Sequence, residues 1–355
     1  MTVLLPSPSA AADALTTPGL PSRLPSTRGP VSEQLLDHLT RGVHEITSLP
    51  LAGADPLLDG DAALALYLCY ELHYLGLPGV DEAWEWEPSL LRERRRLEAA
   101  FEASLAAVAG PVPVGLSRIA VLDELRRLAG NGTGPSLSAH MEADGTADQM
   151  REFAIHRSAY QLKEADPHTW GIPRVTGRAK AALVEIQRGE YGDGDVREVH
   201  ANLFAQVMAE LGLDATYGAH IDRLPAISLA TCNLVSLFGL HRRWRGALLG
   251  HLALFEMCSV GPMSRYAAAL ERLGFGPRAT HFYDAHVIAD EHHQVIALDD
   301  MVAGLVDDEP YLGGEVVFGA RALAAIERRF TEHLLTAWAD GRSSLRPPSG
   351  TETTK

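Results

Sequence analysis

Apolar residues recur along the middle of the chain with the spacing of amphipathic α-helices. In most segments between residues 31 and 339 they fall at i, i+3, i+4 and i+7, which places them on one helical face. This spacing predicts helices over residues 31–47, 61–76, 88–109, 116–129, 147–163, 176–190, 198–212, 224–239, 241–259, 262–273, 279–304 and 316–339. Alternating, strand-like patterns are scarce, so the sequence predicts an all-α bundle.

The two ends of the chain differ from this helical middle. Residues 1–30 and 342–355 lack apolar periodicity and are rich in small and turn-forming residues, which predicts disordered tails. No long linker or internal repeat interrupts residues 31–341, so we expect a single all-helical domain there. Within it, the Gly-rich segment 130–148 is interpreted as a surface loop between helices.

Composition excludes several classes of partner. The 355-residue chain carries a net charge of −15, which disfavours binding to nucleic acid or to anionic membranes. No apolar run approaches the ~20 residues of a membrane span, and the start, MTVLLPSP, lacks the basic region of a secretory signal. Cys69, Cys232 and Cys258 are widely spaced in apolar runs and are interpreted as reduced core thiols. We therefore expect a cytoplasmic protein.

Candidate chemistry begins in the segment FYDAHVIADEHHQVIA, residues 282–297. His286, Asp290 and His293 are spaced i, i+4 and i+7, which places them within about 60° of arc on one helical face. Apolar residues border the same stripe, so it is expected to face inward. Two imidazoles and a carboxylate pointing into a bundle are typical of a metal site. A polar core network or a solvated face is the alternative.

Glu256 lies in the middle of another apolar face, with Leu252 and Ala253 as neighbours on the same helix. A buried ionised carboxylate needs a cation, a metal or a proton, because its desolvation costs several kcal/mol. A buried ion pair with an arginine from another helix is the alternative.

His200 likewise lies on the apolar face of its helix, and Glu190 ends the preceding helix. Taken singly, these two are interpreted as a core or capping histidine and a frayed helix end.

Together, these inward-facing segments supply three imidazoles and three carboxylates. That inventory suits two iron or manganese ions, with carboxylates as bridges, imidazoles as terminal ligands and open positions for dioxygen. Zinc sites usually contain fewer carboxylates, and calcium or magnesium would not recruit three histidines.

The order Glu…His…Glu…His-x-x-x-Asp-x-x-His resembles the ligand pattern of the haem-oxygenase-like diiron oxidases and oxygenases. Residues 30–340 also resemble actinobacterial iron-containing redox enzymes, notably in LKEADPH and in the third ligand motif. The first Glu is the least specific part of the pattern, because its distance from the following His varies in the family. Glu185, Asp193 and Asp195 are therefore alternatives to Glu190.

The resemblance implies a haem-oxygenase-like helical bundle with extra N-terminal helices. It implies two Fe(II) ions per chain, with manganese as the alternative metal, and O2 and a small molecule as reactants. N-oxygenation or oxidative C–C cleavage of an amine or amino acid in specialised metabolism is the expected reaction. An external electron donor and a homodimer are compatible with it. The implied metal-binding and catalytic residues are Glu190, His200, Glu256, His286, Asp290 and His293.

Other functions stay open at this point. Oxidative decarboxylation or desaturation of a fatty acid would use the same diiron site, although an acidic protein favours a cationic amine. A non-catalytic helical ligand-binding protein is the alternative from another class. The chain contains no Glu-x-x-His, which argues against a ferritin-like site. Lys163 and Glu164, with His156 and His168, are expected to line a substrate pocket or to form a structural polar network.

Overall fold

A computed structural model describes residues 19–130 and 134–347 of the chain. Within these ranges the regular elements are helices and no β-strand occurs, which confirms the all-α prediction. The α-helices are α1 (Pro30–Leu39), α2 (Gly60–Glu71), α3 (Pro88–Ala109), α4 (Arg118–Gly130), α5 (Leu137–Ala143), α6 (Ala147–Gln161), α7 (Asp166–Thr169), α8 (Gly177–Glu190), α9 (His200–Glu210), α10 (Ala226–Leu240), α11 (Arg245–Arg272), α12 (Pro277–Ile296), α13 (Ala303–Asp308) and α14 (Gly313–Ala339). A π-helical segment, Ala297–Val302, joins α12 to α13.

Helix α11 runs without interruption through Pro262, where the sequence predicted two separate helices. A proline lacks the N–H that would bond to the carbonyl four residues earlier, here that of Cys258. Cys258 is exposed, so this carbonyl lies on a side of the helix that water can reach. Helices α12 and α14 both pack along α11, and this packing holds the helix together.

Segment 130–148, predicted as a loop, contains α5. Ser136 caps this helix by accepting a hydrogen bond from the backbone N–H of Ala139. Leu137 and Met141 are buried, and α5 packs against α11. The loop prediction is therefore wrong for this part of the segment, while residues 131–133 lie outside the described ranges.

The predicted tails extend too far into the chain. Ser26 donates from its backbone N–H to Asp222 Oδ1 at 2.7 Å, and Arg28 donates to the carbonyl of Ile221 at 2.6 Å. At the other end, the N–H of Arg346 donates to the carbonyl of Arg223 at 2.8 Å. These segments are held by hydrogen bonds rather than by apolar stripes, so hydrophobic periodicity does not reveal them. The remainder of both predicted tails, 1–18 and 348–355, lies outside the described residues.

The longest helices place the candidate site inside the bundle. Helix α11 packs against α12, and α12 packs against both α8 and α9. The stretch Arg242–Arg272 is long and apolar enough to cross a membrane, but 67% of its most apolar window is buried inside the protein, as in a core helix. Cys69 and Cys232 are buried as predicted, whereas Cys258 is exposed and is not a core thiol.

Candidate metal centre

The structure brings all six predicted site residues to one place in the bundle interior. Glu190 is the last residue of α8, and His200 is the first residue of α9. Glu256 lies on α11, and α12 supplies the remaining three. All six residues are buried, with at most 6% of their surface exposed. The six are Glu190, His200, Glu256, His286, Asp290 and His293.

Their ligand atoms form two groups, and within each group the atoms lie within 4.8 Å of one another. The first group contains Glu164, Glu190, His200 and His286. The second contains Glu190, Glu256, Asp290 and His293. Glu190 belongs to both groups. Each group therefore has the composition of a metal site rich in carboxylate and imidazole, and Glu190 is positioned to join the two.

Glu164 is the member of these groups that the sequence does not predict as a ligand. It lies in the turn that follows α6, and its Oε2 is 3.5 Å from His286 Nε2. Reasoning from helical faces cannot find such a residue, because a turn has no periodic stripe. The sequence signal for Glu164 is the LKEADPH segment, where the family resemblance is specific, but this segment predicts only a pocket or polar-network role for Glu164.

The three acidic alternatives to Glu190 lie elsewhere. Glu185 pairs with His292 at 2.9 Å, and both side chains are largely exposed. Asp193 and Asp195 are also solvent-facing and pair with Arg188 and Arg197. Glu190 is thus the acidic residue of this region that reaches the cluster.

Five polar atoms of the cluster are buried and have no hydrogen-bond partner among the described residues. They are Glu190 Oε2, His200 Nδ1, His286 Nε2, Asp290 Oδ1 and His293 Nδ1. Glu190 Oε2 and His200 Nδ1 are 2.8 Å apart, but they are not aligned as a hydrogen bond. Each unpaired buried group costs about 1–3 kcal/mol, so native proteins rarely leave several together. A metal ion would satisfy lone pairs arranged in this way, and the residues therefore fit the iron that the ligand pattern implies.

Neighbouring groups fix the free atoms in place. The carbonyl of Phe282 lies 2.8 Å from His286 Nδ1 and accepts a hydrogen bond from it, so Nε2 is the nitrogen left for a metal. Ser259 Oγ donates to Asp290 Oδ2 at 2.5 Å, so Oδ1 is the oxygen left for a metal. A Cβ atom on Gly189 would lie 2.8 Å from His293 Cε1, so only glycine lets this ring approach α8. These contacts are typical of the outer shell of a metal site.

Without a metal, protons balance the charges of the cluster. Burial alone would lower the pKa values of His286 and His293, but neighbouring carboxylates raise both to about 10. Burial would raise the pKa of Glu190, but the three imidazoles lower it to about 2. Burial raises the pKa of Glu256 well above its usual range. A metal ion entering the cluster would therefore displace protons.

A cavity of about 230 Å³ lies beside the first group and is lined by Glu164, Glu190 and His200. Apolar side chains form part of its wall, including Leu75, Leu162 and Val199. Its remaining polar side chains are Lys163, Asp166, Tyr191 and Asn202. A small molecule in this cavity would contact candidate metal ligands directly.

The other polar residues that the sequence suggested as pocket lining take separate roles. His156 lies between the hydroxyls of Ser228 and Ser344, at 2.7 and 2.9 Å, and is structural. His168 lies against His251, with 3.2 Å between His168 Nε2 and His251 Nδ1, and it also borders a small cavity of about 20 Å³ at the cluster.

A family model matches the part of the chain that carries the site. The model of a family described as iron-containing redox enzymes, with a haem-oxygenase-like fold, matches residues 151–328, which is half of the chain. This match contains Glu164 and the six predicted site residues. No curated protein matches the chain. The resemblance seen in the sequence is confirmed, and the chain belongs to the haem-oxygenase-like family of iron-containing redox enzymes.

Proposed function

We propose that this protein is a non-haem diiron enzyme that uses O2 to oxidise a small amine or amino acid. The observation that carries the proposal is the position of Glu190 in both groups of candidate ligands. A carboxylate shared by two adjacent groups of acidic and imidazole ligands is how proteins hold a pair of iron ions. Membership of an iron-containing redox family supports the same conclusion.

In this proposal, seven residues would hold two ions. Glu164, His200 and His286 would hold one ion and Glu256, Asp290 and His293 the other, while Glu190 belongs to both groups of candidate ligands. When bound, iron(II) would supply the electrons that reduce dioxygen. Manganese fits the same donor set.

The protein's own residues exclude water and position protons around this pair. Leu252 and Phe255 help to enclose the small cavity that borders Glu164, Glu256 and His286. Tyr160 lines the same cavity, and its hydroxyl is buried without a hydrogen-bond partner among the described residues. It can therefore donate a hydrogen bond into this space. Burial raises the pKa of this phenol well above its usual range, so Tyr160 keeps its proton.

The adjoining cavity supports a small polar substrate. At about 230 Å³ it suits a compact molecule, and acidic side chains lie on its wall. A cationic amine is favoured there over an anionic lipid. N-oxygenation or oxidative C–C cleavage of such an amine is the proposed reaction, with an external donor supplying electrons where turnover requires them. Fatty-acid decarboxylation or desaturation remains the second candidate, because it would use the same metal pair.

Anaerobic reconstitution tests this function. Full-length protein is incubated with iron(II) under argon, desalted, analysed for iron and then exposed to oxygen. We expect about two iron ions per chain and oxygen consumption in proportion to the bound iron. A well-folded sample that retains almost no iron would support a non-catalytic helical ligand-binding protein instead.

Single substitutions on α8 sharpen this test. Glu190→Gln should abolish the oxygen reaction, because it removes the charge shared by both groups. Glu185→Gln provides the matched control, because it makes the same change on an exposed face of the same helix. Equal iron binding and oxygen consumption by these two variants would contradict the proposed bridge.

A further inference from the structure

Asp166 is the acidic residue of the 230 Å³ cavity that does not belong to either candidate metal group. It begins α7, two residues after Glu164, and is partly exposed. The other acidic residues of the cavity wall are Glu164 and Glu190, whose negative charges would be neutralised by bound iron. In the loaded enzyme, Asp166 would therefore carry the negative charge of the cavity wall that no metal ion neutralises.

A chain of hydrogen bonds holds this carboxylate in position. Gln187 Nε2 donates to Thr169 Oγ1 at 2.7 Å, and the Thr169 and Tyr191 hydroxyls are 2.9 Å apart. The Tyr191 hydroxyl donates to Asp166 Oδ1 at 2.8 Å. Among the described residues, no hydrogen bond ends on Asp166 Oδ2. One oxygen is thus fixed by the protein, while the other can accept a hydrogen bond from a ligand.

Among the described residues that line the cavity, Lys163 is the basic side chain of the lysine or arginine type, and it is already engaged. Lys163 forms a buried ion pair with Glu71, and its ammonium group lies 4.2 Å from the ring centroid of Tyr74. Lys163 is therefore poorly placed to attract an anionic ligand. Among the described residues that line this cavity, Asp166 has the charge that is available to a ligand.

We propose that Asp166 binds the ammonium group of the substrate and so selects primary amines. This inference rests on the proposed function, because it assigns the amine-binding end of the same cavity. A molecule held at Asp166 would have its remaining atoms directed along a cavity that reaches Glu164, Glu190 and His200. Asp166 is then a specificity-determining residue, not a metal ligand.

Calorimetric titration of n-butylamine into the full-length protein tests this inference, with and without iron(II) and under argon. Butanol and butyrate serve as ligands of similar size without the positive charge. We expect butylamine to bind about 10-fold more tightly than either, because a charge-assisted hydrogen bond contributes more than a neutral one. Equal or tighter binding of butanol or butyrate to the unsubstituted protein would overturn the inference without any variant.

Asp166→Asn adds a test of the residue itself. The amide keeps the shape of the side chain and can still accept from Tyr191, so the variant should fold and retain the iron content of the parent protein. We expect it to bind butylamine about 10-fold more weakly. Asp193→Asn makes the same charge change on an exposed residue paired with Arg188, and should bind butylamine like the parent. Unchanged butylamine binding in Asp166→Asn would overturn the assignment.

The outcomes separate this inference from the proposed function. If iron binds and reacts with oxygen, but butylamine binding does not depend on Asp166, only the amine site is wrong. If butylamine binding depends on Asp166 but the protein retains no iron, only the diiron function is wrong.

Discussion

Two clusters of buried ionisable side chains lie close together in this protein, and they differ in how their polar atoms are satisfied. The Lys163 cluster consists of Glu71, Lys163 and Tyr217. Lys163 pairs with one oxygen of Glu71, and Tyr217 donates to the other at 2.5 Å. In the part of the chain that the structure describes, the candidate metal centre instead leaves five buried polar atoms without hydrogen-bond partners. Buried ionisable groups are common to both clusters, so unsatisfied polar atoms are what distinguish a site that needs a ligand.

Loss of a partner from the Lys163 cluster should have the largest effect on stability. Glu71→Leu would leave the ammonium group of Lys163 buried without a counter-charge, which typically costs about 3–5 kcal/mol. We expect a lower urea midpoint for the metal-free protein, measured by circular dichroism. A variant as stable as the parent would show that Lys163 finds water or another partner, and that the two clusters do not differ as described.

The same kind of substitution at the metal centre should have the opposite consequence. Burial raises the pKa of Glu256 well above its usual range, so its burial in the metal-free fold is unfavourable. Glu256→Leu should leave metal-free stability within about 1 kcal/mol of the parent, or increase it. It should also remove one of the two bound ions. A large loss of stability with unchanged iron content would identify Glu256 as a structural residue.

A smaller effect is expected from the hydroxyl that positions Asp290. Ser259→Ala removes the hydrogen bond to Asp290 Oδ2 and lets the carboxylate rotate. Outer-shell changes of this kind typically weaken metal binding about 10- to 100-fold. Ser158→Ala is the control, because its buried hydroxyl donates only to a backbone carbonyl at 2.7 Å. Manganese titration followed by electron paramagnetic resonance would contradict the role of Ser259 if both variants bind equally.

The pH dependence of metal binding gives a finer comparison. The pKa values of His286 and His293 are raised to about 10, so both hold protons at pH 7 in the metal-free protein. Metal must displace these protons, and affinity should therefore increase about 10-fold per pH unit for each proton released, up to about pH 10. The stability of the metal-free protein should change in the opposite direction. The two histidines stabilise the fold fully below the pKa that they have in the unfolded chain, and this stabilisation is lost as the pH rises through about 10.

Manganese titrations between pH 6.5 and 8.5 would measure this dependence. A binding constant that does not change over this range would contradict the proton balance of the cluster.

The sequence predicted the parts of this structure that lie on regular helical faces. His286, Asp290 and His293 follow one stripe of α12, and hydrophobic spacing is enough to place them together. Glu164 lies in a turn, and its approach to His286 depends on tertiary packing that has no periodic signature. The continuity of α11 through Pro262 likewise depends on its packing between α12 and α14, not on local propensity.

The ligands of the metal centre remain predictions, and the structure narrows the choice of the first acidic ligand. Glu190 ends its helix, where sequence alone left three acidic neighbours as alternatives. Glu190 reaches the cluster, and these neighbours do not, because the chain turns at Gly192, Asp193 and Gly194. All three residues have positive φ, and the turn brings His200 back beside α8. The number of residues in such a turn does not predict which side chains it brings together, so the sequence alone cannot identify Glu190.

Anomalous diffraction at the iron edge, from crystals loaded with iron(II) under argon, tests the central claim most directly. We predict two iron peaks in each chain, one beside His200 and His286 and the other beside Glu256 and His293, with Glu190 between them. A single peak, or peaks that do not contact Glu190, would contradict the proposal that this carboxylate joins two metal ions.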